Sequence, residues 1–175
     1  MPDNHLPENI ADQARLDYLA KNYPAAIQGY SDAVAGFLNI GNQLMAAEMK
    51  NNLAVVLLRS HQAKQALEVV QLTDQIFAEN GDFHRQGKAL ANKASILLAL
   101  KDKKSALQVF MSASETLEKA GALEDRFEVM KSLAFLYLGR FRFMDAILAL
   151  QSGLEGIKQP TPAQRFMKSL LSFRI

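Results

Sequence analysis

Residues 81–120 read GDFHRQGKALANKASILLALKDKKSALQVFMSASETLEKA. Two amphipathic helical patterns lie in this stretch, with a short polar joint between them. In the first, Leu90, Ala94, Leu97 and Leu98 fall on one face at the i, i+4, i+7 spacing of a helix. Residues 101–104, Lys-Asp-Lys-Lys, interrupt it, and Asp102 is placed to cap the next helix with its carboxylate. The second pattern runs through Ala106, Leu107, Phe110, Ala113, Ser114 and Leu117. Gly121 then supplies a left-handed C-cap, which glycine adopts without Cβ strain. One such hairpin has an apolar side on each helix and too little partner surface to cover both. It must stack on copies of itself.

The copies recur every 40 residues. Ala106 has counterparts at Ala26, Ala66 and Ala146, and Ala94 at Ala14, Ala54 and Ala134. Leu107 matches Ile27, Leu67 and Ile147; Phe110 matches Tyr30, Val70 and Leu150. Leu117 matches Phe37, Phe77 and Ile157, and Gly121 matches Gly41 and Gly81. The expected fold is all-α, with four helix-turn-helix repeats over about 8–40, 42–80, 82–120 and 122–158. A polar tail over 1–7 precedes them, and a capping helix over 161–175 follows.

Length and composition agree with this reading. A chain of 175 residues suits one short solenoid, and 22% charged residues is an ordinary balance for a folded protein. No apolar run is long enough to span a bilayer. The start, Met1-Pro2-Asp3-Asn4-His5, lacks a basic region followed by an apolar segment, so no secretory signal is visible and the expected location is cytoplasmic. Cysteine is absent, which excludes disulfides and thiolate metal sites. A formal net charge of +2 does not by itself imply nucleic acid or an anionic membrane. Residues 1–40 carry five acids against two bases, and residues 121–175 eight bases against five acids, a gradient read as an ordinary solvated surface.

Taken in order, helix A and helix B of each repeat are expected over 8–21 and 24–40, 43–60 and 63–79, 82–100 and 103–119, and 123–140 and 143–157. Pro7 and Pro24 suit first helical turns. Gln159-Pro160-Thr161-Pro162 is the one clear linker. It leads into a last helix, about 162–173, with Phe166, Leu170 and Phe173 on one side, suited to cover the end of a solenoid.

Small residues set the packing. The alanine pairs 14 and 26, 54 and 66, 94 and 106, 134 and 146 let the two helix backbones of each repeat approach closely. A third small position follows at Ala33, Thr73, Ala113 and Gly153. With a large apolar residue between the last two, this pattern resembles the tetratricopeptide repeat (TPR) family. The longer unit looks like the variety seen in kinesin light chain, in polarity adaptors of the Leu-Gly-Asn type and in Gram-positive peptide-sensing regulators. The sequence departs from that family where the usual glycine between the helices is Lys21, His61, Lys101 or Phe141. The resemblance implies a right-handed superhelical solenoid with the A helices inside, lining a groove that binds extended peptides.

Few residues point to chemistry. His5, His61 and His84 fall in different parts of the repeat, without acidic or cysteine partners at metal-ligand spacing. Ser112 and Ser114 sit mid-helix with no base in reach, and no glycine-rich loop follows a strand. The expectation is no enzyme, no cofactor and no metal. Residues 101–104 read as a solvated corner, and the helical methionines mostly as core filler.

In the resembled family an asparagine two residues before the first small residue clamps the peptide backbone, since its amide both donates and accepts. That position is Asn52 and Asn92 here, and Asp12 and Ser132 in repeats one and four. Neighbours expected on the same surface are Arg15 and Tyr18 in repeat one, then Glu48, Val55 and Arg59 in repeat two. Repeat three adds Lys88 and Ser95, and repeat four Lys131 and Phe135. Two functions remain open. One is a non-catalytic scaffold or adaptor that binds a peptide or protein segment in the groove, with no nucleic acid and no membrane insertion. The other is a structural module that forms homodimers or larger homo-oligomers through the exposed end of the solenoid or through the terminal helix, whose sequence ends Leu170-Leu171-Ser172-Phe173-Arg174-Ile175.

Overall fold

The computed structural model describes residues 6–172, so His5, Phe173, Arg174 and Ile175 lie outside the described residues. Among these residues there are ten α-helices and no strand. Repeat one is α1 (Pro7–Leu19) and α2 (Tyr23–Asn39); repeat two is α3 (Gln43–Arg59), α4 (Ala63–Val69) and α5 (Thr73–Glu79). Repeat three is α6 (Phe83–Ala99) and α7 (Lys103–Lys119), repeat four α8 (Leu123–Leu138) and α9 (Phe143–Leu154), and α10 (Pro162–Ser172) follows. Each helix A packs on its own helix B, and each helix B on the next helix A. This is the stacking that single hairpins need to bury their second faces.

The repeat columns form the core. All eight crossing alanines, from Ala14 to Ala146, are at most 3% exposed. Ala33, Thr73 and Ala113 are fully buried, as are Phe37, Phe77 and Leu117 to within 1%. A Cβ on Gly153 would lie 2.8 Å from Met130 Cβ and 3.1 Å from the Phe127 ring, so that position in repeat four admits no side chain. Pro7 and Pro24 occupy first helical turns as expected, and Asp102 Oδ1 accepts from the Ser105 backbone N–H at 3.0 Å.

Two kinds of turn alternate. Between repeats, Gly41, Gly81 and Gly121 take φ of +74°, +68° and +68°, the left-handed C-cap expected for Gly121. Within the hairpins the same conformation falls to Lys21, His61, Lys101 and Phe141, with φ between 59° and 67°. Sequence alone does not show that these residues replace the missing glycine in conformation as well as in position.

Three expectations change. The helix expected over 63–79 is two helices, because Leu72 adopts φ +64°. Val69, Val70 and Thr73 are β-branched and weak helix formers. The Thr73 hydroxyl donates to the Val70 carbonyl at 2.9 Å, a local bond that competes with the helical ladder. Helix α9 stops at Leu154 rather than 157, and Gly156 turns the chain with φ +78°. On α10 it is Met167 and Leu171 that pack against Phe127, Leu154 and Ile157, whereas Phe166 and Leu170 are 67% and 57% exposed. The start of α10 carries a reciprocal capping box. Thr161 N–H donates to Gln164 Oε1 at 2.7 Å and Gln164 N–H to Thr161 Oγ1 at 3.3 Å.

Candidate functional site

The A helices present one side of the stack, and a cleft opens there between α6 and α8. It encloses about 240 Å3, with α7 as its floor. Helix α6 contributes Lys88, Asn92 and Ser95, one stripe at helical spacing; α8 contributes Asp125, Glu128 and Ser132 from the facing stripe. Phe110 and Leu117 close the bottom. Apolar floor, polar walls and a charge of each sign at the rim are the ingredients of a site for a polar backbone with apolar side chains.

The expected site residues do not gather in one place. Lys88, Asn92 and Ser95 come together in this cleft, with Ser132 opposite. Arg15 and Arg59 are exposed on α1 and at the end of α3, Val55 is half-buried, and the half-buried Tyr18 ring sits 6.3 Å from that of Tyr23. Glu48 and Lys131 are engaged: Glu48 Oε2 lies 3.2 Å from Arg85 Nε, and Lys131 Nζ lies 2.7 Å from Glu128 and over the Phe127 ring. Phe135 projects with 72% of its surface exposed.

A groove clamp has to stand open to solvent before its ligand arrives, yet both asparagines are half-buried, and they differ in what they touch. Asn92 Nδ2 donates to Asn51 Oδ1 at 3.0 Å. Asn51, not Asn52, is the partner, and it is itself only 8% exposed. A buried amide needs such a bond, so Asn92 joins α3 to α6 and still lines the cleft. The signal in the sequence was the doubled asparagine of Lys50-Asn51-Asn52-Leu53; the repeat register picks the second, and the crossing of two helices picks the first. Two further residues were missed. His84 Nε2 lies 2.6 Å from Asp125 Oδ2 and links repeats three and four at their glycine turns. Lys93 Nζ lies 3.6 Å from Asp74 and links α6 to α5.

On the other side of the stack a second cleft, about 310 Å3, lies between α7 and α9 over α8. Met111, Met130, Leu133 and Leu148 line it, with Arg126 at its base. Arg126 is 6% exposed and donates to the Ser152 carbonyl at 2.6 Å and hydroxyl at 2.9 Å. It thereby adds a second donor to a carbonyl in the last turn of α9 that the Glu155 N–H already reaches at 3.2 Å. Among the described residues no group of three His, Asp or Glu side chains is arranged to hold a metal ion, and no helix is long and apolar enough to cross a membrane.

No protein-family model matches the sequence, and no curated protein matches it. Solved structures do match. A protein from Podosopora anserina described as a kinesin light chain with nearly identical TPR-like repeats superposes with a TM-score of 0.76 at 14% identity. The match covers 98% of this chain and 86% of that one. A single-substitution variant of it matches equally well, with 85% of its chain covered. The chain therefore has the TPR-like repeat solenoid fold that the small-residue columns implied.

Proposed function

We propose that the protein is a non-catalytic interaction scaffold that seats an extended peptide or protein segment on its A-helix face. The observation that carries this reading is the cleft between α6 and α8, where Lys88, Asn92, Ser95 and Ser132 converge above an apolar floor. Amide and hydroxyl groups there match the donors and acceptors of a peptide backbone, and Lys88 favours an acidic side chain or a terminal carboxylate. Along the same face Arg15, Tyr18, Asn52, Val55, Arg59 and Phe135 extend the surface on either side. The fold it shares with other TPR-like repeats is one built to present such surfaces, and the assignments of adaptor role and cytoplasmic location belong to the same proposal.

Selection from a displayed random-peptide library on the immobilised protein tests it. Peptides so recovered should lose up to about tenfold in affinity with Ser132→Ala and about tenfold or more with Lys88→Ala, since a neutral hydrogen bond contributes about 0.5–1.5 kcal/mol and one to a charged group about 1.5–3 kcal/mol. Leu148→Gln, on the opposite face, should leave affinity unchanged. The reverse pattern would move the site to the cleft between α7 and α9.

The half-covered apolar stripe of α10 favours a second reading. Phe166 and Leu170 stand free beside the packed Met167 and Leu171, a surface suited to the same helix in a second copy. Sedimentation of the protein and of Phe166→Ser/Leu170→Ser over a range of concentrations tests this. A dimer lost in the variant supports it, and a monomer at every concentration removes it.

A further inference from the structure

The net charge of +2 conceals a strong polarity between the two edges of the stack. The turns inside the hairpins lie along one edge. The cavity that runs from His61 to Gln65 also touches Ala99 and Leu100, so turns two and three are neighbours. The glycine turns lie along the opposite edge, where Asn80 meets residues 40–44. On the hairpin-turn edge, residues 19–24 contribute Lys21 and residues 59–64 contribute Arg59 and Lys64. Residues 99–104 contribute Lys101, Lys103 and Lys104, and residues 139–144 contribute Arg140 and Arg142. All eight are exposed. The one acid in these stretches is Asp102, the cap of α7, and Asp145 just beyond holds Arg142 at 2.8 Å. The glycine-turn edge, residues 39–44, 79–84 and 119–124, has three acids, Glu79, Asp82 and Glu124, against Lys119.

The basic edge also carries apolar side chains that no other element covers. Phe141, Phe143 and Met144 are 84%, 57% and 64% exposed, and Leu19 at the first turn is 63% exposed. At the position of Phe141 the other repeats have Lys21, His61 and Lys101, and at that of Met144 they have Pro24, Lys64 and Lys104. Phe141 also holds φ +59°, a conformation costly for a bulky residue. The ring of Phe141 meets that of Phe143 edge-on at 6.4 Å, and this contact between two exposed rings leaves most of both open to solvent.

We propose that the hairpin-turn edge docks on an anionic lipid bilayer, with Phe141, Phe143 and Met144 entering the headgroup–acyl boundary and the flanking lysines and arginines meeting lipid phosphates. Basic residues at such a surface each strengthen attachment, and apolar side chains that pass the headgroups add to it. A nucleic acid would meet the bases equally well, but the exposed apolar groups are spread from Leu19 in the first turn to Met144 in the last, and a bilayer offers a continuous apolar phase along the whole edge. Attachment is peripheral and leaves the A-helix face free.

Flotation with phosphatidylcholine vesicles, with and without phosphatidylserine, is the test. The protein should float with the anionic vesicles and not with the neutral ones, and added salt should release it. Lys101→Gln/Lys103→Gln/Lys104→Gln should lower partitioning about a hundredfold, at about 1 kcal/mol per base. Phe141→Ser/Phe143→Ser/Met144→Ser should lower it about tenfold or more. Lys119→Gln on the opposite edge should change nothing, and unchanged thermal melts establish that each variant folds. Equal binding to neutral vesicles, indifference to both triple substitutions, or binding of duplex or single-stranded DNA without binding of vesicles would each overturn the proposal.

Discussion

Among the described residues, four of the five non-glycine residues with positive φ share one repeat position: Lys21, His61, Lys101 and Phe141. The left-handed conformation is costly for an L side chain, on the order of 1 kcal/mol, and a glycine there would relieve that strain while adding entropy to the unfolded chain. His61→Gly should therefore raise stability, by about 0.5 kcal/mol after the two effects offset, and a higher urea midpoint would show it. Gly121→Ala, the opposite change at φ +68°, should lower it. Asp102 illustrates a charge effect at the same scale. Its hydrogen bonds to Ser105 hold the carboxyl below its ordinary value. A lowered folded-state value means that ionisation stabilises the native state, fully above the ordinary aspartate range near 3.9. That contribution disappears as pH falls through the lower folded value. Asp102→Ala should thus melt earlier than the parent at neutral pH, and the gap should close in acid.

At the scale of elements, the crossing alanines decide how closely helices A and B approach. Ala106 is fully buried, and a leucine there has no cavity to enter. Ala106→Leu should cost about 1–3 kcal/mol, whereas Lys104→Leu, exposed on the same helix, should change stability little; equal urea midpoints for the two would refute the packing. The break at Leu72 belongs to this scale too. Periodicity predicted one continuous helix because Ala66, Val70, Thr73 and Phe77 hold the same columns as Ala106, Phe110, Ala113 and Leu117. Column identity reports which side chains are buried, and all four are. It does not report the backbone path between them, which a single residue at φ +64° can bend without moving any of them out of the core.

Over the whole molecule, the buried apolar residues gather in two large clusters, one centred on repeats one and two and the other on repeats three and four. Polar links cross between them: Asn51 to Asn92, Glu48 to Arg85 and Asp74 to Lys93. Asn92 thus has two roles, in the cleft and in this junction. Asn92→Ala should lower stability by about 1–3 kcal/mol, because it leaves the buried Asn51 carbonyl without its partner. Asn52→Ala should be nearly neutral, so a chemical denaturation series on the two separates junction from surface.

The repeat, its period, the buried columns and the glycine turns were legible in the residues alone, because apolar spacing along a helix marks the face that must be covered and glycine marks a left-handed turn. It also pointed to Lys88, Asn92 and Ser95 as one surface, since residues three and four apart share a helix face. Pairings across elements were settled only by how the helices pack. These include Asn51 rather than Asn52 as the partner of Asn92, His84 against Asp125, Arg126 under α9, and Met167 rather than Phe166 against repeat four. The gathering of eight bases along one edge is of the same kind. Such contacts depend on the angle and offset at which helices cross, and those are set by the summed packing of many side chains, so no local spacing records them.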